Sequence, residues 1–293
     1  SVLGPILFNI FINDIVQNVE ENCEILLFAD DVKLYSKNHK SLQDTLSKIA
    51  TYCETWQLKI ATDKCCVLHI GKTNPNTVYN ISGVNLYVTK CIKDLGVQIS
   101  NTLSSSEHCS YLYKKCSRMC TLILKSFFSE NKILKLTAYK IYVLPILDYC
   151  SPVYNPYKVS DIKLLEKIQR RFTKKLLHDR QMSYYDRIQL LGLDTLELRR
   201  LKNDIILAYK IFHDKLFDFA SLFEFSIPTR STRSSQIPKL NIPKYNLNLS
   251  KHFFVNRICN IFNSFPVREN WINKRYHVKA FKKILDSTDL SRY

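Results

Sequence analysis

The spacing of apolar residues changes along the chain, and the change divides the sequence near residue 100. Before that point, helical spacing over residues 2–16 and 41–56 is mixed with short apolar runs that Asn, Pro and Gly separate. From residue 105 onward the spacing is helical, and it predicts helices at about 105–128, 130–149, 158–179, 194–217, 251–264 and 277–286. The sequence therefore predicts an α+β fold with a mixed first part and a mainly helical second part.

A β-hairpin is predicted over residues 23–35. Residues 23–28 form a continuous apolar run, and after it Val32 and Leu34 alternate with polar positions. This pattern places Ala29, Asp30 and Asp31 at the turn. Further short strands, which would form a small antiparallel sheet, are predicted at 67–70, 84–88 and 95–99.

The segment after the hairpin carries a helix signature. Ser41-Leu42-Gln43-Asp44 matches a capping box, in which a side chain at each end satisfies a free backbone N–H. The positions that then follow the helical period are Leu42, Leu46, Ile49, Cys53 and Trp56. We expect a helix that begins at Ser41 and packs these five side chains, Trp56 included, into a core.

Positive charge is concentrated in the second part of the chain. The sequence holds 43 Lys and Arg against 26 Asp and Glu, a net charge of +17, of which residues 1–100 contribute −1 and residues 101–293 contribute +18. Such an excess favours an acidic partner, either nucleic acid or an anionic membrane surface. The most apolar stretches, 2–16 and 133–149, are short and interrupted by polar or charged residues, so no membrane span is expected.

The ten cysteines contain no CxxC pair, and no secretory signal is visible, which favours a reducing, intracellular compartment over a zinc or disulfide framework. His108, Cys109, Cys116 and Cys120 come nearest to a metal cluster, but the three cysteines fall on one stripe of a predicted helix, where we expect buried thiols that act as small apolar groups. Residues 226–249, rich in Pro, Ser and Asn and carrying Arg230 and Arg233, are predicted to be a basic loop or linker.

Asp30 and Asp31 are the sharpest chemical feature of the sequence. Two adjacent carboxylates at the end of a rigid strand suit Mg²⁺, which takes carboxylate and phosphate oxygens as ligands. The alternative is ordinary turn chemistry, because Asp is common in turns. A metal ion would remove the repulsion between the two neighbouring charges, which a purely structural turn would have to tolerate.

The ordered motifs resemble the reverse transcriptase of a non-LTR retrotransposon of the LINE type, close to the jockey-like elements. The resemblance rests first on SVLGPILFNIFIND over residues 1–14 and FADD over residues 28–31. The run WQL at 56–58 with Lys64 is similar to the next palm motif, and LGV at 95–97 to the turn that supports the primer terminus. LPILDY at 144–149 and QRRF at 169–172 are similar to the helical thumb and its connection.

This resemblance implies a partial polymerase palm over residues 1–100, a helical thumb and connection over 101–225, the basic loop at 226–249 and a helical segment at 250–293. It implies an RNA-directed DNA polymerase that adds deoxynucleotides to a DNA 3′-end with two Mg²⁺ ions. Asp30 is then the principal metal ligand, Asp31 a peripheral one, and Lys64 the catalytic group that neutralises the leaving pyrophosphate. An ordinary exposed lysine is the alternative for Lys64, and Asp14 is expected to have a structural or capping role in a helix.

The implied partners are an RNA template, a DNA primer and deoxynucleoside triphosphates, in a nuclear or cytoplasmic ribonucleoprotein. Because a further palm aspartate and the fingers are absent from this sequence, we expect a fragment that is inactive by itself. The candidate phosphate-binding residues are Lys114, Lys115, Arg118, Lys167, Arg170, Arg171, Lys174 and Lys175, each of which could instead be a solvated surface charge. The rival hypothesis is a non-catalytic nucleic-acid-binding remnant in which Asp30 and Asp31 no longer function.

Overall fold

A computed structural model describes residues 3–126, 131–179, 181–213, 219–226, 239–264 and 276–290. The chain divides into two compact units, the first made of residues 1–92 with 100–102 and the second of residues 93–99 with 103–293. Half of the predicted basic loop, residues 227–238, lies outside the described residues. Among the residues described, no helix combines the length and apolar character that a membrane crossing requires. The finer divisions near residues 225 and 249 stay predictions.

Two helical segments organise the first unit. Helix α1 spans Leu3–Ile12 and continues as a 3₁₀ helix over Asn13–Asn18, while α2 spans His39–Thr55. The predicted capping box at Ser41 is wrong, because α2 begins two residues earlier. Its N-cap is Asn38, whose side-chain oxygen accepts the backbone N–H groups of Lys40 at 3.0 Å and Ser41 at 3.3 Å.

The strands before residue 101 form separate pairs, so the predicted small antiparallel sheet is not present as one sheet. Strands β1 (Cys23–Phe28) and β2 (Asp31–Ser36) are antiparallel. The shorter strands are β3 (Cys66–Leu68), β4 (Asn80–Ile81), β5 (Val84–Asn85), β6 (Tyr87–Thr89), β7 (Cys91–Asp94) and β8 (Val97–Ser100). The β3 and β6 strands are parallel, β4 pairs antiparallel with β5, and β7 pairs with β8.

A local cause breaks the strand predicted at 84–88. Leu86 is buried, and its N–H donates a 2.8 Å hydrogen bond to the Tyr79 carbonyl outside the strand ladder.

Trp56 also departs from expectation: it is 50% exposed and caps α2 after the last helical residue. There its ring meets the edge of Phe11 at 5.4 Å between centroids, so the expected burial of Trp56 is wrong.

Helices make up most of the described second unit. They are α3 (Ser106–Ser126), α4 (Lys132–Tyr142), α5 (Leu144–Asp148), α6 (Ser151–Tyr154), α7 (Val159–Leu177), α8 (Tyr184–Leu190), α9 (Leu196–His213), α10 (Phe219–Leu222), α11 (Asn248–Lys251), α12 (Phe254–Ser264) and α13 (Val278–Ser287). A short pair joins β9 (Phe225–Ser226) to β10 (Lys239–Leu240). The helix predicted at 130–149 is split, because Pro145 lacks a backbone N–H and starts the new helix α5.

The second unit contains two hydrophobic cores. The first joins α3, α4, α5 and α7 around residues such as Tyr139 and Phe172, whose rings stack with centroids 4.3 Å apart. The second joins α9, α12 and α13 around Tyr209 and Phe281. Together with the mixed first unit, these helical cores confirm the α+β prediction.

The predicted cysteine stripe on α3 is confirmed. Cys109 and Cys116 have no exposed surface and Cys120 is 6% exposed, all three within the first core. Burial raises the pKa of the Cys116 thiol to about 12, so this thiol stays protonated and apolar at neutral pH.

Candidate active-site hairpin and basic groove

The β1–β2 hairpin places Asp30 at its tip. Phe28 is paired with Asp31, which leaves Ala29 and Asp30 as a two-residue turn. Ala29 has a left-handed backbone with φ 52°, a conformation that costs a residue with a Cβ about 1 kcal/mol or more. The prediction that Asp30 occupies the turn is confirmed, whereas Asp31 is the first residue of β2 rather than a turn residue.

The two faces of the hairpin differ. Ile25, Leu27 and Leu34 share one face and pack against the core of the first unit. Phe28 and Asp31 are cross-strand neighbours on the opposite face, where Phe28 is 61% exposed. One apolar face thus anchors the hairpin, while both aspartates lie exposed at its tip.

The donor set at this tip fits part of a magnesium site. Mg²⁺ is commonly held by one or two carboxylates and completes its shell with water and substrate phosphates. Asp30 and Asp31 supply two adjacent, exposed carboxylates at the end of a paired two-stranded hairpin. Within the described ranges, no third His, Cys, Asp or Glu joins them in a metal-binding group.

Lys64 and Asp14 lie elsewhere in the first unit. Lys64 is exposed in the loop before β3, where its backbone N–H donates to the Ala61 carbonyl at 2.9 Å. Among the described residues, no ion pair joins Lys64 to either hairpin aspartate. Asp14 lies in the first turn of the 3₁₀ helix, a position that suits a carboxylate electrostatically.

A groove between α3 and α7 brings together part of the predicted nucleic-acid surface. It is lined by Ser117, Cys120, Thr121, Leu124, Ile168, Arg171, Phe172 and Lys175. The Arg171 guanidinium donates to the Tyr113 hydroxyl at 3.0 Å, and the Lys167 ammonium lies 6.0 Å from the centre of the Tyr113 ring. Lys167, Arg171 and Lys175 therefore form a row, four residues apart, along the groove.

Helix α3 contributes a second row of cations. Lys114, Arg118 and Lys125 are exposed and follow one another at i, i+4 and i+11, which places them on one face of the helix. This face borders the groove residues Ser117 and Thr121. We call these six cations, Lys114, Arg118, Lys125, Lys167, Arg171 and Lys175, the basic groove.

Three other predicted residues lie apart from the basic groove. The Lys115 ammonium is 5.8 Å from the ring centre of Tyr111. The Arg170 guanidinium covers the buried Tyr184 ring at 4.2 Å, on a different side of α7 from Arg171. Lys174 is exposed and is not among the residues that line the groove, and it follows four residues after Arg170 and seven after Lys167.

Sequence reasoning missed the way residues 93–99 are held. This hairpin tip belongs to the second unit, where Val97 is 5% exposed in the first helical core. The Gln98 N–H donates to His108 Nδ1 at 3.1 Å, and the Tyr149 hydroxyl donates to the Leu95 carbonyl at 2.8 Å. His108 lies beside the cysteine stripe and Tyr149 ends the LPILDY motif, so both residues are conspicuous in the sequence. Their contacts with this hairpin are visible only in the folded structure.

The carboxylate-tipped hairpin lies in the part of the chain that is similar to a known protein family. Residues 1–99 match the family described as reverse transcriptase (RNA-dependent DNA polymerase). Together with relatives from two mobile elements, this match confirms the expected resemblance to the reverse transcriptases of non-LTR retrotransposons.

Both of these relatives come from Drosophila melanogaster. The RNA-directed DNA polymerase from mobile element jockey is 25% identical over 196 residues, covering 60% of this chain and 21% of that protein. The probable RNA-directed DNA polymerase from transposon BS is 27% identical over 189 residues, covering 58% and 21% respectively. The chain thus spans about a fifth of the length of both polymerases.

A third relative is an uncharacterised protein of Caenorhabditis elegans, 27% identical over 158 residues that cover 53% of this chain and 76% of that protein. No solved structure matches the chain.

Proposed function

We propose that this chain supplies metal-binding carboxylates and the template–primer surface of an RNA-directed DNA polymerase of a mobile element. One observation carries the proposal: Asp30 occupies a two-residue hairpin turn within the segment that matches the reverse transcriptase family. The reaction is the addition of a deoxynucleotide to a DNA 3′-end on an RNA template.

The residues of the first unit act on the reacting phosphate. When bound, Mg²⁺ supplies the positive charge that activates the 3′-hydroxyl and stabilises the leaving pyrophosphate. Asp30 holds the metal at the tip of the hairpin, and Asp31 adds a second carboxylate from the start of β2. Lys64 neutralises charge on the departing pyrophosphate.

The residues of the second unit hold the nucleic acid. The six cations of the basic groove contact phosphates of the template and primer strands without reading bases. The turn between β7 and β8, Leu95-Gly96, supports the primer terminus, as the LGV motif suggests.

Primer extension by the protein expressed from its full reading frame tests this function. Asp30→Asn should lower Mg²⁺-dependent extension by at least about 100-fold, the scale that loss of a metal-held charge produces. Asp44→Asn, at an exposed aspartate on α2, is the matched control and should extend normally. Equal extension by wild type and Asp30→Asn would remove Asp30 from the active site. Nucleic-acid binding without extension in any variant would favour the non-catalytic remnant.

A further inference from the structure

The turn between β7 and β8 adopts a conformation that needs outside support. Both of its residues have left-handed backbones, Leu95 with φ 42° and Gly96 with φ 89°. Two-residue hairpin turns of this kind favour Asn, Asp or Gly at both positions, and Leu is disfavoured there. Such strained backbone persists where surrounding contacts determine it, and it concentrates at functional sites.

Tyr149, which follows α5, supplies that support at both turn residues. Its hydroxyl donates a 2.8 Å hydrogen bond to the Leu95 carbonyl. Its ring lies against Gly96 so closely that a Cβ on Gly96 would be 3.1 Å from the Tyr149 Cε1 atom. Tyr149 remains 55% exposed, so its ring gives up little water-accessible surface in this contact. The contact therefore sets the position of the turn more than it adds to the core.

Positive charge lies on the same hairpin and on the helix that it packs against. The ammonium groups of Lys93, in β7, and Lys115, in α3, each lie 5.8 Å from the ring centre of Tyr111. Two cations on one aromatic ring repel each other, and a bound phosphate would relieve that repulsion. The exposed Leu95 side chain and Lys93 thus lie on one hairpin, and the Gln98–His108 hydrogen bond joins that hairpin to α3, which carries Lys115.

We propose that Tyr149 is a positioning residue for the primer: it holds the Leu95–Gly96 turn against the recessed 3′-end, while Lys93 and Lys115 contact phosphates of the same duplex. This inference rests on the proposed function, because it assigns the turn to a template–primer substrate. It adds a residue outside the metal site and outside the basic groove, and it gives Lys115 a role that the groove does not.

The test measures how the 293-residue chain distinguishes two RNA–DNA duplexes. One has a recessed DNA 3′-end and the other a recessed DNA 5′-end, with equal duplex length, overhang length and phosphate number. Fluorescence anisotropy gives both dissociation constants. We expect wild type to prefer the recessed 3′-end, and Tyr149→Phe, which keeps the ring but loses the hydroxyl, to reduce the preference by about fivefold, the value of one hydrogen bond.

Two further variants separate positioning from folding. Gly96→Ala pushes on the Tyr149 ring from the opposite side and should remove the same preference, while Tyr142→Phe, at a 57% exposed tyrosine ending α4, should preserve it. In all variants, affinity for the recessed 5′-end duplex should stay near wild type. The thermal unfolding midpoint should stay near wild type in Tyr149→Phe and Tyr142→Phe, whereas Gly96→Ala should lower it modestly, because Ala is strained at a φ of 89°.

Three outcomes would overturn the inference. The first is an unchanged end preference in both Tyr149→Phe and Gly96→Ala. The second is equal loss of affinity for both duplexes together with a lowered unfolding midpoint, which would show a structural role alone. The third is a wild type that binds both duplexes equally, which leaves the proposed function standing. A wild type that binds neither duplex would contradict the proposed function itself.

Discussion

Asp204 and Arg257 form a two-pronged ion pair in the interior of the second unit. Arg257 Nε lies 2.9 Å from one Asp204 carboxylate oxygen and Arg257 Nη2 lies 3.1 Å from the other. Asp204 is 1% exposed and also accepts from Asn155 at 3.0 Å, while Arg257 donates to the Pro152 carbonyl at 2.8 Å. The pair joins α9, α12 and the segment around α6.

Removing one partner of this pair should be costly. Asp204→Ala leaves the mostly buried Arg257 charge with backbone carbonyls as its only acceptors among the contacts described, so we expect the free energy of unfolding to fall by about 3–5 kcal/mol in urea denaturation. Glu197→Ala, at an exposed carboxylate on the same helix, should change it by no more than about 0.5 kcal/mol. The double variant Asp204→Ala/Arg257→Ala should lose less unfolding free energy than the two single variants lose together. Simple additivity would show that the two side chains do not stabilise each other.

His108 should make the stability of the second unit depend on pH. Burial lowers the pKa of the imidazole from its ordinary 6.5 to about 4, and its Nδ1 accepts the Gln98 N–H. Between these pH values the unfolded chain binds the proton and the folded chain does not. The free energy of unfolding therefore falls as pH falls from 6.5 to 4, by about 3 kcal/mol in total.

Replacing His108 isolates this contribution. His108→Asn keeps an acceptor for Gln98 and removes the titrating group, so it should flatten the pH dependence by the same amount. His39→Asn, at an exposed position on α2, should leave the wild-type slope intact. Urea denaturation at several pH values between about 7 and 4 measures both. An unchanged slope in His108→Asn would assign the acid sensitivity to other groups.

The row of cations along α7 should determine both affinity and salt dependence. Changing Lys167, Arg171 and Lys175 to Gln removes three charges that line the basic groove. We expect weaker binding to all duplex sequences and a salt slope reduced by about 0.9 for each phosphate that the groove no longer neutralises. The control removes three exposed charges from α13, at Lys279, Lys282 and Lys283, and should have a much smaller effect. Equal effects of the two triple variants would show that total charge, and not the groove, governs binding.

Two substitutions test whether Asn38 or Ser41 caps the N-terminus of α2. Asn38→Ala should lower the free energy of unfolding by about 1 kcal/mol, because two N–H groups lose their acceptor. Ser41→Ala should change it by less than about 0.5 kcal/mol, since Ser41 lies inside the helix. A larger loss in Ser41→Ala than in Asn38→Ala would restore the capping box that the sequence suggested.

Local sequence patterns were sufficient to predict those elements for which only one reading of the pattern was available. The β1–β2 hairpin follows from an apolar run, a turn and an alternating strand, and the cysteine stripe of α3 follows from helical spacing. The start of α2 was predicted wrongly because Asn38 and Ser41 are both good caps, and sequence spacing does not say which one the chain uses. Pro145 could have signalled the split between α4 and α5.

Long-range contacts account for what the sequence could not show. Leu95 and Tyr149 are separated by 54 positions, and no periodicity links them. Helical geometry alone, by contrast, could have predicted that Lys115 and Arg170 lie apart from the basic groove. Residues 114 and 115, or 170 and 171, point about 100° apart on a helix, so adjacent cations cannot share one track.

The buried thiols of α3 can report on the opening of the first helical core. Burial raises the pKa of Cys109 and Cys116 to about 12, so an alkylating reagent at neutral pH finds neither the thiolate nor a path to it while the helices are packed. Modification of these side chains must wait for the packed helices to separate. The rate at which these thiols are alkylated therefore measures how often the core opens. A bound duplex that contacts both α3 and α7 would lower this rate.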